Sequence, residues 1–174
     1  MAYTGIDDSS SAFQCKTYTG NGSTNNITLD GNSNLQPNWV WIKDTGQSGY
    51  NHNSYDSVRG ATKLLWPNLN NAESTYSNSL TSFNSNGFTL GSDSSNGEAN
   101  GNSNSYVSWN WKETADAGFD MISYTGNGSS GRTISHNLNS VPSMIWTKDL
   151  GNAEHWGCYH KSLPAGYNIY LNLT

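Results

Sequence analysis

The hexapeptide Tyr-Thr-Gly-Asn-Gly-Ser stands at residues 18–23 and again at 124–129, and the match extends outward from both sites. Phe13-Gln-Cys-Lys-Thr-Tyr18 aligns with Phe119-Asp-Met-Ile-Ser-Tyr124. Further on, Pro37-Asn-Trp-Val-Trp-Ile-Lys-Asp44 aligns with Pro142-Ser-Met-Ile-Trp-Thr-Lys-Asp149, with one position lost in between. Tyr55 and Tyr159, then Leu64-Leu65 and Tyr170-Leu171, are weaker echoes. The repeat unit is about 106 residues, far beyond the ~20–50 of solenoids, so it reads as a domain and not as one supersecondary element. We assign residues 1–112 to the first unit, 113–118 to a linker and 119–174 to a partial second unit. The second unit holds counterparts of residues 13 to 68 and none of 69–112, so the native sequence is expected to run on past Thr174.

Strand patterns fill the first unit. Trp39-Val-Trp-Ile-Lys43 is apolar on both faces, as in a strand inside a sandwich. Tyr106-Val-Ser-Trp-Asn-Trp-Lys112 places Val107, Trp109 and Trp111 on one face and Ser108 and Asn110 on the other. Leu80 to Leu90 reads as a hairpin turning at Asn86-Gly87, which brings Phe83 and Phe88 together. Asn168 to Thr174 alternates as well, and residues 91–105 read as a polar loop. No window has helical periodicity; only Ala72-Glu73-Ser74 suits a single helical turn. The expected fold is all-β, an antiparallel sandwich with its strand tryptophans, Trp41 and Trp109 among them, in the core. Tyr-Thr-Gly-Asn-Gly-Ser is then a strand end and turn, repeated because the domain is repeated.

Composition agrees. Hydrophobic residues are only 33% and charged residues 12%, yet aromatics reach 12%, with 7 Trp and 10 Tyr among many Asn, Ser, Thr and Gly. Disordered chains are charged and poor in aromatics, so this chain has the makings of an aromatic core between polar turns. A net charge of −5 with 8 scattered basic residues argues against a nucleic-acid partner. No apolar run approaches the ~18 residues that would insert in a membrane, and MAYTGIDDSS does not read as a signal peptide.

The residues that carry chemistry are sparse. No strand has the i, i+2 carboxylates that a glycosidase on a jelly roll uses; Asp93, Glu98 and Asp116 fall in loops. No catalytic residue is assigned. His155, Cys158 and His160 lie close in sequence but would not converge on a metal, Cys15 and Cys158 read as two buried thiols, and no metal or other cofactor is expected. Calcium-loop spacing and a Gly-x-Ser-x-Gly elbow are lacking. Asp56 and Arg59 read as a loop-fixing pair with Gly60 turning the chain, or else as a grip on a sugar or partner. Turn aromatics are better ligand candidates than strand tryptophans. The candidate binding site is therefore Tyr50, His52, Asp56, Arg59 and Trp66.

Five stretches in order, IDDSSSAFQCKTYTGNGS, LQPNWVWIKD, YDSVRGATKLL, LTSFNSNGFTLGS and YVSWNWK, resemble a family of repeated β-sandwich domains in structural and tail-associated proteins of marine bacteriophages. SVPSMIWTKD and WGCYHKSL resemble that family's second-repeat form, and the GFTLG hairpin before Tyr-x-x-Trp-x-Trp is similar to a concanavalin-type jelly roll. The resemblance implies a non-enzymatic tail or fibre module in the virion, made in the host cytoplasm. Its implied partners are other virion proteins, copies of itself or a host-surface glycan. The alternatives are a carbohydrate-binding module of a secreted or surface protein and, third, a glycoside hydrolase.

Overall fold

A computed structural model describes residues 6–92, 99–164 and 166–173. Asp93 and Glu98 lie outside the described residues. The chain is nearly all β, and every strand pairing is antiparallel. In the first unit the strands are β1 (Phe13–Thr19), β2 (Asn25–Thr28), β3 (Trp39–Asp44), β4 (His52–Asp56), β5 (Gly60–Leu65), β6 (Ser74–Thr75), β7 (Leu80–Asn84), β8 (Gly87–Leu90) and β9 (Ser105–Trp111). The second unit supplies β10 (Met144–Thr147), β11 (Gly157–His160) and β12 (Ile169–Tyr170). Where a helical turn was expected, at residues 72–74, the chain enters β6; a 3-10 turn forms at Ser9–Ser11 instead, capped by the Asp8 carboxylate.

A six-stranded sheet, β1-β9-β3-β4-β5-β6, packs on a three-stranded sheet, β2-β8-β7. Between them lies a core of Val40, Ile42, Tyr55, Leu64, Leu80, Phe88, Leu90 and Tyr106, with Ile27 and Trp66 at its margins. The Phe83–Phe88 pair forms as expected, but the turn is Ser85–Asn86, and Gly87 opens β8 with φ 119°. Asn86 is held by its amide: Oδ1 accepts from the Leu35 N–H at 3.1 Å and Nδ2 donates to the Leu29 carbonyl at 3.0 Å.

The strand tryptophans are not in this core. Val40 and Ile42 point inward and are fully buried, so Trp39 and Trp41 must point outward. On β9 the inward residues are Tyr106, Ser108 and Asn110, and Trp109 and Trp111 are outward and half-buried. The phase follows from space. Two sheets about 10 Å apart accept interdigitating Val, Ile, Leu and Phe. At the β1 end of the core the filling is polar: Gln14 Nε2 donates to the Ser10 and Ser33 carbonyls, and Asn110 Nδ2 donates to the Gln14 carbonyl. The fully buried Asn53 amide and Asn110 Oδ1 have no hydrogen-bond partner among the described residues, a cost of about 1–3 kcal/mol per orphaned group.

The second unit reproduces part of the first residue by residue. Ile145 pairs with Tyr159 as Val40 pairs with Tyr55, and Trp146 with Cys158 as Trp41 with Ser54. Ile169 lies opposite Cys158 as Leu65 lies opposite Ser54, so Ile169, and not Leu171, is the structural echo of Leu65. The turn after β3 recurs in its backbone bonding. Asp44 Oδ1 accepts from the N–H groups of Gly46 and Gln47, and Asp149 Oδ1 from those of Gly151 and Asn152. In both hexapeptides the Asn side chain accepts from the Ser two residues on, and the following Gly has φ near 64–70°. Phe119–Thr125, by contrast, forms no strand. A turn is made of local bonds, whereas β1 exists through its ladder to β9, which has no counterpart among the described residues of the second unit.

The second unit docks on the outward face of the large sheet. The Trp156 indole N–H donates to the Trp66 carbonyl at 3.1 Å, and the Glu73 N–H to the Leu150 carbonyl at 2.9 Å. Trp41 and Trp146, equivalent residues of the two units, meet edge to face at 6.4 Å.

Candidate functional site

The outward face of β1, β9 and β3 is a continuous aromatic surface. Phe13 tilts against Trp111 at 5.0 Å, Trp111 stacks on Trp39 at 4.4 Å, and Trp39 stacks on Phe119 at 5.7 Å. Beside this row, Trp41 meets Trp109 edge to face at 6.4 Å. The strand register causes the arrangement: Phe13, Trp111 and Trp39 are successive cross-strand partners, as are Cys15, Trp109 and Trp41. Phe119 and Trp146 of the second unit cover the Trp39 side. Phe13 is 38% exposed, Cys15 is exposed and Trp109 half-exposed, so the β1–β9 side stays open. Cys15 thus departs from the expected pair of buried thiols; it sits on the outward face of an edge strand, and Cys158 alone is buried.

β4, the neighbouring strand of the same sheet, fixes the indoles from the side. The Trp39 Nε1–H donates to Ser54 Oγ at 2.8 Å, and the Trp41 Nε1–H donates to His52 Nδ1 at 2.9 Å. That bond requires a bare Nδ1, hence the Nε2–H tautomer of neutral imidazole. Burial, and then the charge of Lys43, hold the His52 pKa below its ordinary 6.5. A depressed folded pKa means the unfolded chain binds the proton more readily. Its contribution is therefore complete above pH 6.5 and is lost as pH falls through the folded value. Thermal melts between pH 8 and pH 5 are expected to show a drop in Tm on the acid side, with a change in tryptophan fluorescence. His52→Gln should flatten both; an unchanged profile in the variant would contradict the assignment.

The five residues marked by sequence divide among different duties. His52 joins the tryptophan face, and Tyr50, half-buried, precedes it. Asp56 and Arg59 come together as the loop-fixing pair: Arg59 Nε donates to Asp56 Oδ2 at 2.5 Å and the Arg59 backbone N–H to Asp56 Oδ1 at 2.9 Å. Arg59 also reaches Glu73 Oε2 at 3.1 Å and the Ser54 carbonyl, and its side chain is almost fully buried. Its donors are spent on tying the β4–β5 turn to the segment that leads into β6. Trp66 is buried against Tyr76 and beneath Trp156. Sequence reasoning missed the tryptophan face itself. The available signal was that Tyr106, a large core-type residue, shares its phase with Ser108 and Asn110.

One carboxyl pair lies at the edge of this face. Thr114 and Phe119 exchange backbone hydrogen bonds, which brings Glu113 and Asp120 side by side. Burial and the hydrogen bond to Asp120 push the Glu113 carboxyl up. Burial raises Asp120 too, but the hydrogen bond from Glu113 and the N–H groups of Asn137 and Met121 outweigh it and leave it lowered. Glu113 thus takes up a proton more readily than an ordinary glutamate and Asp120 less readily than an ordinary aspartate. Other carboxylates are bound into turns and ion pairs, Asp8, Asp44, Asp56 and Asp149 among them. His155 Nδ1 is bonded to the Asn172 amide, and His160 Nδ1 accepts from the Ser162 N–H.

These features belong to a β-sandwich domain with an aromatic outer face. Residues 8–174 match the family described as Domain of unknown function (DUF7483), and the chain belongs to that family. The match runs through both units. No curated protein and no solved structure matches the chain.

Proposed function

We propose that this chain is a non-enzymatic attachment module of a bacteriophage virion, carried in the tail or fibre, and that it binds a host-surface glycan through the tryptophan face. The observation that supports this most is the open side of that face around Trp109, Phe13 and Trp111, with Trp41 and Trp39 locked behind by His52 and Ser54. Immobilised flat rings suit the apolar C–H face of a pyranose, and they lose little entropy on binding. A contiguous exposed apolar surface of this kind marks an interaction site. The virion setting rests on the five ordered stretches and their resemblance to phage tail-associated domains. Assembly contacts with other virion proteins or with copies of itself belong to the same reading.

The second reading is a carbohydrate-binding module of a secreted or surface protein. It uses the same face and differs only in setting; portal and tail genes beside the coding sequence would favour the virion. Glu113 and Asp120 do not suit the carboxyl pair of a glycoside hydrolase, because they share a hydrogen bond. Catalytic carboxyls stand about 5–9 Å apart to admit the bond they cleave.

The test is a glycan array followed by titration of a hit. Trp109→Ala is expected to weaken binding about tenfold or more, roughly 1.4 kcal/mol, with little change in Tm. An array without hits, or a hit indifferent to Trp109→Ala, would overturn the glycan reading.

A further inference from the structure

Resting on the glycan reading, we propose that the ligand is an uncharged, unbranched oligosaccharide laid lengthwise along β1 and β9, held by rings at one end and by hydroxyls at the other. The outward positions of these two strands pair in successive rows: Phe13 with Trp111, Cys15 with Trp109, Thr17 with Val107 and Thr19 with Ser105. The rows change from aromatic to hydroxyl-bearing along the strands. At a rise of about 3.4 Å per residue, the strip from Phe13 to Thr19 is about 20 Å long, more than one sugar ring covers. It is also narrow. β1 is the edge of the sheet, and on the other flank Trp39 and Trp41 lie against Trp146 of the second unit. A long, narrow strip suits an extended chain of sugars and leaves no width for branches.

The polar end is built of free groups. Thr17, Thr19 and Ser105 are exposed, and their hydroxyls have no hydrogen-bond partner among the described residues. They border an open depression of about 340 Å³, which Thr45 closes on the β3 side by donating its hydroxyl to the Ser105 carbonyl at 3.0 Å. The outer face of the small sheet is the contrast. Its strands are uncharged and polar too, but Ser82 Oγ donates to Asn84 Oδ1, Asn84 Nδ2 to Thr89 Oγ1, and Thr89 Oγ1 to Asn26 Oδ1. Those groups satisfy one another, whereas the hydroxyls beyond Trp109 keep both donor and acceptor capacity for a sugar.

Charge decides the class of sugar. No outward position of β1 or β9 carries Asp, Glu, Lys or Arg. Lys16, the charged residue of β1, has the opposite phase and pairs with Asp30 at 2.6 Å. On β3, Lys43 is folded back with its ammonium on the Asp44 and Gln47 carbonyls. An acidic sugar laid on this strip would shed water from its carboxylate and meet no cation in return, which is costly. A neutral sugar gives its C–H face to the rings and its hydroxyls to the threonines and Ser105.

The test is titration calorimetry on the full chain. The probes are β-1,4-linked oligomers of glucose, mannose, xylose and N-acetylglucosamine, each as disaccharide and hexasaccharide, with hexagalacturonate as the charged comparison. A neutral hexasaccharide is expected to bind about tenfold or more tightly than its disaccharide, with an affinity that added salt leaves unchanged. Thr17→Val and Thr19→Val together, at exposed positions, should remove that gain and leave disaccharide binding as it was, whereas Trp109→Ala should weaken both. A hexasaccharide no tighter than its disaccharide, a gain that survives the two valines, or hexagalacturonate binding as tightly as the neutral hexasaccharides would overturn the proposal and leave the glycan reading standing. Binding of none of these sugars would overturn it too, and the glycan array then decides the wider reading separately.

Discussion

Phe88→Ala is expected to destabilise the first unit by about 3–5 kcal/mol, the range for deleting a buried ring and leaving a cavity. That is a large part of the stability of an ordinary domain. Phe88 is fully buried in β8 at the centre of the small sheet, pairs with Phe83 across the hairpin and meets the edge of Tyr18 at 6.3 Å. It touches both layers, the Tyr18 ring of the large sheet and Phe83 of the small one. Urea denaturation of Phe88→Ala beside Trp109→Ala reads the result. If the two variants lost comparable stability, the inward and outward faces would have been assigned the wrong way round. A large loss at Phe88 with a small one at Trp109 is what the observed phase requires.

The contrast between those two residues marks how far the sequence could be read. Strand positions, the Phe83–Phe88 pair, the Asp56–Arg59 pair and the repeat were legible because each is local or carries its own period. The repeat even extends to hydrogen bonds, as the matching turns at Asp44 and Asp149 show. What period could not settle was which face of a two-sided strand turns inward. Trp39-Val-Trp-Ile is apolar on both sides, so the choice fell to the space between the sheets and to the second unit covering the tryptophans from outside. The candidate site suffered from the same gap. Arg59 and Trp66 look like ligand residues in a list of side chains; in three dimensions one is buried and bonded to Asp56, Glu73 and the Ser54 carbonyl, and the other sits under Trp156. His52 was reachable, yet its role as the acceptor for Trp41 depends on the β3–β4 register, which places Lys43 opposite it and Trp41 two residues along on the same face. Phe119–Thr125 is the converse case, where a strand-like sequence forms no strand because strands are not local objects.

Gly87→Ala is expected to be among the most damaging single substitutions in the chain, costing more than about 4 kcal/mol, a loss that points to a specific clash. Two effects coincide there. Gly87 has φ 119°, a region nearly closed to side chains, and holding alanine in such a conformation costs of order 1–3 kcal/mol. A Cβ on Gly87 would also stand 2.0 Å from the Ile27 carbonyl oxygen, a backbone atom of the neighbouring strand. It can be relieved only by moving β2 away from β8, which breaks the Thr28–Gly87 end of their ladder and the Gly87 N–H bond to the Leu35 carbonyl. Gly60 supplies the internal control. Its φ is 109°, almost the same, but nothing lies within 4 Å of the Cβ position. Gly60→Ala should therefore show the conformational cost alone, about 1–3 kcal/mol, and keep the β2–β8 pairing. Denaturant titration of both variants, with amide exchange at Ile27 and Phe88, separates the two effects. Equal losses at the two glycines would mean that the close approach of β2 to β8 at Gly87 is not part of the fold.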